Sequence, residues 1–190
     1  EVIMQKTKQH RAQIQLRDIN WEQDFHSLLQ IEQQSFARPW SAQQFARFAN
    51  SHDSRGLIAV QNGTVVGYLL YQTSLALNHI AHIAVAPGHR SQGIGSTMIF
   101  ALKDANPCHA LSLNVRRSNV QAQRLYESLN FAHVRTNSQH YADGEDAFVM
   151  QCEAVQVRVV PLPSDIAPWT FTDSWLKSST HLCPVFTPVT

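Results

Sequence analysis

Gly93 and Gly95 stand two positions apart, where the run Ile83-Ala84-Val85 gives way to an apolar series of helical period, and Arg90 lies three residues ahead of the first. That arrangement suits an anion. The first N–H groups of a helix have no partner inside it, and the macrodipole behind them favours negative charge. Glycine lets a ligand approach the backbone where a Cβ would otherwise sit. Arg90 adds a permanent positive charge suited to phosphate. The stretch Arg90, Ser91, Gln92, Gly93, Ile94, Gly95 and Ser96 is therefore read as a loop for a phosphate-type anion. Two other glycine-rich loops are excluded. Gly88 and Gly93 have the spacing of a Walker A loop, but Ile94 occupies the place of its lysine. A dinucleotide fingerprint requires a third glycine where Met98 stands.

The elements needed to hold such a loop can be read around it. Gln13–Arg17 alternates as a short strand, and Trp21, Phe25, Leu28, Leu29, Ile31 and Phe36 recur at helical spacing. Ala37-Arg38-Pro39-Trp40 interrupts, and Ser41 is a good N-cap for a second helix with Phe45 and Phe48. Two strands, Gly56–Gln61 and Thr64–Tyr71, flank the hairpin dipeptide Asn62-Gly63. Asn78–Val85 reads as a strand, Ile94–Asn106 as a helix, Ala110–Val115 as a strand and Val120–Leu129 as a helix capped by Ser118 or Asn119. Phe131–Thr136 and Ala147–Cys152 close the series around the turn at Ala142–Glu145. Early hairpins followed by strand–helix–strand–helix–strand predict a mixed α/β fold, a mostly antiparallel central sheet flanked by helices.

Composition sets the outer bounds. The chain of 190 residues is long enough for one domain with a real core and some length to spare. Lys+Arg 15 against Asp+Glu 14 gives a net charge of +1, without the basic excess of a dedicated nucleic-acid or membrane-surface binder. No apolar run has the length of a membrane span, and no apolar stretch of the secretory type follows the mildly basic N-terminus. Cys108, Cys152 and Cys183 are odd in number and lack C-x-x-C spacing, which reads as reduced thiols in a cytoplasmic protein. The 10 histidines are read as scattered polar side chains on the outside of the fold, His79 excepted, and none as a metal ligand. His79 and His82 are expected on opposite faces of their strand, because side chains alternate along it. From about Ala154 the periodicity fails among five prolines and the aromatics Trp169, Phe171, Trp175 and Phe186. The organisation expected is a domain over 13–153 and a Pro/aromatic extension over 154–190, too short for a core of its own.

Four segments, in order, carry a family resemblance. Ile83-Ala84-Val85-Ala86-Pro87 followed by Arg90-x-x-Gly93-x-Gly95 resembles the acetyl-CoA motif of the GNAT N-acetyltransferases. Asn114-Val-Arg-Arg-Ser-Asn119, with Ala122 and Leu125-Tyr126-Glu-Ser-Leu-Asn-Phe131, resembles the strand–helix segment ending in LYxxLGF in that family. His140-Tyr141-Ala-Asp-Gly-Glu-Asp-Ala-Phe-Val-Met150 is similar to the substrate-side hairpin of protein N-terminal acetyltransferases. Phe36-Ala-Arg-Pro39-Trp40-Ser41 resembles the loop of the RimI group, which acetylates the N-terminal alanine of a ribosomal protein.

The resemblance implies acetyl-CoA as cosubstrate, no metal, and a protein or peptide N-terminus, ribosomal in type, as acceptor. It places Ile83, Ala84 and Val85 against the pantetheine amides, Arg90–Ser96 on the pyrophosphate and Asn119 on the cofactor arm. Tyr126 takes the place of the tyrosine that protonates the departing thiolate; without the flanking motif it would read as a core tyrosine. Phe36, Trp40 and Tyr141 fall on the substrate side. Two departures stand out. The RimI group carries a glutamate as general base where this chain has Asn114, and an amide cannot take a proton from an ammonium. His79, Tyr141 or a water molecule are the candidates for that role. Asn130 replaces the glycine of LGF, a mild change because asparagine tolerates the left-handed region. A small-molecule amine acetyltransferase and a catalytically weak acyl-CoA-binding module share the same cofactor site and are the alternatives.

Overall fold

The computed structural model describes residues 13–154, and the extension lies outside the described residues. The chain runs β1 (Gln15–Asp18), α1 (Trp21–Ser35), α2 (Ala42–Ala49), β2 (Ser54–Gln61), β3 (Thr64–Thr73) and β4 (Leu77–Val85). It continues with α3 (Ile94–Ala105), β5 (Ala110–Arg116), α4 (Val120–Ser128), β6 (Ala132–Asn137) and β7 (Ala147–Cys152). The strands form one seven-stranded sheet in the order β1-β2-β3-β4-β5-β7-β6. Every neighbouring pair is antiparallel except β4 and β5, which are joined by α3. A parallel pair needs such a crossover, because a short turn can only reverse the chain.

Local signals set most boundaries. Asn20 caps α1 by accepting the N–H groups of Glu22 and Gln23. Ser41 and Gln44 form a reciprocal capping box at α2. Asn62 and Gly63 both take positive φ, 52° and 77°, as a two-residue hairpin demands. Asn119, not Ser118, caps α4 by accepting the Ala122 N–H at 3.1 Å. Asn130 holds φ 66°, so the residue replacing glycine does enter the left-handed region.

The sheet buries both faces. On one, Leu69, Ile80, Leu111, Leu113 and Val115 pack under Ile94, Met98, Ile99 and Leu102 of α3 and Tyr126 of α4. On the other, Ile58, Tyr68, Leu70 and Ala84 meet Leu28 and Ile31 of α1 and Phe45 and Phe48 of α2. Each fully buried Leu, Ile or Phe contributes about 1.5–3 kcal/mol of transfer free energy, so these two layers fix the strands against one another. Cys152 is a free buried thiol.

Two irregularities of β4 shape the space beside it. β4 pairs with β5 only from Leu77↔Ala110 to Ile80↔Leu113. Past that point β4 stays on β3 and β5 stays on β7, so the two strands part and leave backbone groups facing a gap. A bulge interrupts the β3–β4 register, so that Leu70 opposes His82 and Tyr71 opposes Ile80, with Ala81 as the extra residue.

Candidate active site

The anion loop is built as a sharp exit from β4. A short turn at Pro87–His89 leads to Arg90, whose Nε donates to the Val85 carbonyl at 3.0 Å. Ser91 and Gly93 then take φ of 60° and 82°, swinging the chain into α3. The first bond of that helix runs from the Thr97 N–H to the Gly93 carbonyl at 2.9 Å. The N–H groups of Ile94, Gly95 and Ser96 precede it and point out of the helix end. A Cβ built on Gly95 would meet only the Leu125 side chain, at 3.9 Å, so the space beside this glycine belongs to the cleft. Gln92, included in the cradle from sequence, does not line the cleft; its amide lies 3.5 Å from the Gly88 carbonyl.

The loop opens into a cleft of about 810 Å³ that occupies the gap between β4 and β5. Ile83, Ala84 and Val85 form one wall, Asn114, Asn119 and Tyr126 another, and Phe36, Trp40, His79 and Tyr141 also line it. Of the residues singled out from sequence, all but Gln92 converge here. The fit to a coenzyme A arm is direct: a helix end and Arg90 for phosphate, then diverging strand edges whose unpaired backbone can bond amides. Asn119 Oδ1 is engaged in capping α4, which leaves its amide N–H groups for a ligand.

Tyr126 is buried against Phe131, with ring centroids 5.8 Å apart. Burial, with a smaller contribution from Tyr141, pushes its phenol up to about 12, so its hydroxyl remains a donor across the neutral range. Tyr141 is likewise raised by burial, against the lowering influence of Arg116. A neutral phenol donates; Tyr141 is therefore unsuited to the role of base.

His79 shares a hydrogen bond of 2.8 Å with Ser112 Oγ through its Nδ1. Burial first, and the nearby His140 second, hold its imidazole below the ordinary histidine range. His82 overturns two expectations from sequence. Leu70 and Gln72 share a face of β3 and oppose His82 and His79, so the bulge at Ala81 places both histidines on one side of the sheet, not on opposite sides. Nor is His82 one of the scattered outer polar side chains. Its Nε2 lies 3.0 and 2.9 Å from the two oxygens of Glu32. Its ring stacks on Trp40 at 4.5 Å and 11°, with Phe36 at 4.7 Å.

Glu32 itself is fully buried. It also accepts the Trp40 N–H at 2.7 Å and the Tyr68 hydroxyl. Burial alone would raise its carboxyl, but the bonds and charge of His82, with Tyr68 and the Trp40 N–H, outweigh that and keep it below the ordinary carboxylate range. Sequence reasoning passed over Glu32, although it sits four residues after Leu28 on the apolar face of α1. A carboxylate at such a position must be paired.

The family comparison agrees with this geometry. The profile of the acetyltransferase (GNAT) family matches residues 25–131. The chain belongs to the GNAT acetyltransferases. Within the family, the ribosomal protein bS18-alanine N-acetyltransferase of Haemophilus influenzae is 33% identical over 139 residues, which span 68% of this chain and 92% of that protein. The crystal structure of the ribosomal-protein-S18-alanine N-acetyltransferase from Escherichia coli superposes with a TM-score of 0.71 at 27% identity, over 82% of this chain and 99% of that one. Arabidopsis thaliana NAA60 in complex with acetyl-CoA shares the fold with a TM-score of 0.65 at 20% identity, over 73% and 97% of the two chains. This GNAT protein is an acetyl-CoA-dependent N-acetyltransferase. Among the described residues no group of His, Cys, Asp and Glu is placed to hold a metal ion, and no helix is long and apolar enough to cross a membrane.

Proposed function

We infer that the acceptor is the α-amine of a protein N-terminus, of the ribosomal-protein alanine type, acetylated in the cytoplasm. One observation carries the choice of amine: among the described residues no Asp or Glu lines the cleft around Asn114, while Arg90 does, along with Arg38 and Arg116, which pair with Asp143. An enzyme for lysine must discharge an ammonium of pKa near ~10.4, whereas an α-amine near ~7.7–8.0 is already partly neutral at physiological pH. With Asn114 in place of a carboxylate, the second substrate is the one the cleft can use.

In this reading Arg90 to Ser96 hold the pyrophosphate and the edge of β4 holds the pantetheine amides. The amine enters between Phe36, Trp40 and Tyr141, past His79. Its nitrogen attacks the thioester carbonyl, the C–S bond breaks, and the Tyr126 hydroxyl supplies the proton to the thiolate. The names of relatives point the same way, since several are alanine or α-amine acetyltransferases. The test is turnover of acetyl-CoA with an alanine-initiated peptide, with spermidine and with water as acceptors. Transfer to the peptide well above the other two is expected. Faster transfer to spermidine overturns the reading in favour of a small-amine enzyme, and no transfer above water reduces the protein to an acyl-CoA binder.

A further inference from the structure

Asn114 leaves open where the proton shed by the attacking nitrogen goes. Two histidines of β4 line the cleft from the same side of the sheet, alongside His89 and His140 from other segments, and the surroundings of the β4 pair differ in kind. His79 bonds a neutral hydroxyl, Ser112 Oγ, within the paired part of β4 and β5. An imidazolium formed there gains no counter-charge and is opposed by His140. His82 lies beyond the point where the strands part, and a buried carboxylate holds it.

We propose that His82, oriented and charge-compensated by Glu32, accepts the proton released by the amine during acetyl transfer. Glu32 draws the Nε2–H to itself and so leaves Nδ1 as the unprotonated nitrogen, the division of labour that a carboxylate–histidine pair performs in acyl-transfer sites. Trp40 and Phe36 flank the ring and the Trp40 N–H fixes the carboxylate, so the geometry is set before substrate arrives. The carboxylate cannot drift off, since Tyr68 and Trp40 hold it from two other elements. The inference rests on amine acetylation, whichever amine proves to be the acceptor.

The step balances. A neutral amine forms the C–N bond and its nitrogen becomes positive; one of its protons passes to His82 Nδ1. The C–S bond breaks and the thiolate takes the Tyr126 proton. The proton on His82 returns through solvent to the Tyr126 oxygen, leaving an amide, free coenzyme A and the starting enzyme. Glu32 and Tyr68 touch the His82 network directly; His79, His140, Arg38, Arg116, Tyr126 and Tyr141 share the cleft, with His89 and Arg90 at its loop end. The pH profile of any variant is to be read with those groups in mind.

The experiment measures kcat and both KM values from pH 5.5 to 9 in the full chain, using whichever amine the wild type acetylates. His82→Gln is expected to lower kcat by roughly 10²-fold, the usual size of a general-base contribution, with KM for acetyl-CoA nearly unchanged. The drop should be at least ten times larger than in His79→Gln. Glu32→Gln keeps the size of the side chain and removes its charge; kcat should fall by at least about tenfold with KM for acetyl-CoA nearly unchanged, because the proton accepted by His82 loses its counter-charge. A loss greater in His79→Gln than in His82→Gln overturns the proposal and assigns the role to His79. An unchanged kcat in folded Glu32→Gln overturns it independently, even if His82→Gln fails to fold. Transfer to a small amine in place of a peptide would defeat the acceptor reading alone, because the variants are then compared on that amine.

Discussion

The guanidinium of Arg116 lies 3.8 Å from the centre of the Tyr141 ring, and the same guanidinium bonds Asp143 at 3.0 Å and Glu145 at 2.6 Å. Arg116 ends β5 and the other three belong to the β6–β7 connection, so one side chain clamps that connection beside the cleft. Planar stacking and a forked donor are combined in arginine alone. Arg116→Ala should therefore raise KM for a peptide acceptor about tenfold or more, while the dissociation constant for acetyl-CoA stays within about twofold. Steady-state kinetics varied in each substrate, with calorimetry for the cofactor, checks both halves. Equal loss for the two substrates would mean that the clamp supports the whole cleft.

Gly95→Val tests the phosphate cradle. The new side chain faces only Leu125 within the protein, so the fold should persist, with melting temperature within a few degrees. It projects into the space assigned to the pyrophosphate. Titration calorimetry should show acetyl-CoA binding weakened by at least about tenfold. Binding equal to wild type would show that the phosphates sit elsewhere.

Tyr126→Phe removes a hydroxyl and little else from a buried aromatic pair. If that hydroxyl protonates the thiolate, kcat falls by roughly 10²-fold and KM for acetyl-CoA changes little. Because burial pushes the phenol up to about 12, its ionisation should contribute no alkaline limb to the wild-type kcat profile below about pH 11. An unchanged kcat, with chemistry shown to be rate-limiting, would reduce Tyr126 to a packing residue.

Much of the fold and of the cleft was legible in the residues. Asn62-Gly63, the Ser41 cap and the two loop glycines each name their own geometry, since few residue types satisfy those backbone angles or orphan donors. The bulge at Ala81 was not legible. It arises from how β4 is laid against β3, and a one-residue offset there reverses which face every later side chain takes. The assignment of His79 and His82 to opposite faces failed for that reason alone. Glu32 left a trace, a charge among apolar neighbours on α1, but its partners lie on the Trp40 loop, β3 and β4, which spacing within one helix cannot show.

A second buried carboxylate ties the N-terminal strand to the fold. Arg17 on β1 makes two bonds of 2.8 Å to Asp24, which also accepts the Asn20 N–H at 2.8 Å. The Arg17 bonds first, then that N–H and the Arg17 charge, outweigh burial and hold the Asp24 carboxyl below the ordinary range. A group so depressed contributes stability that is complete above the unfolded value near ~3.9 and is lost as pH falls through the folded value. Asp24→Asn should cost about 1–2 kcal/mol at neutral pH, a figure reduced by the exposure of Arg17. In thermal melts the gap between wild type and variant should close progressively below about pH 4. Glu32 is depressed in the same direction, so acid sensitivity should persist in the variant at reduced size.

The central claim is that a cleft without a carboxylate acetylates an amine that arrives neutral. Its most direct test is mass spectrometry of the products formed from acetyl-CoA and peptides that carry both a free alanine N-terminus and an internal lysine, near pH 7.4. At that pH about a quarter or more of α-amines are neutral, against about one lysine in a thousand. Wild type should acetylate the N-terminus predominantly, and Asn114→Glu should help most at the lower end of the pH range, where fewer amines are neutral and the added carboxylate is still ionised. Predominant acetylation of the lysine would contradict both the choice of acceptor and the role of Asn114 in making it.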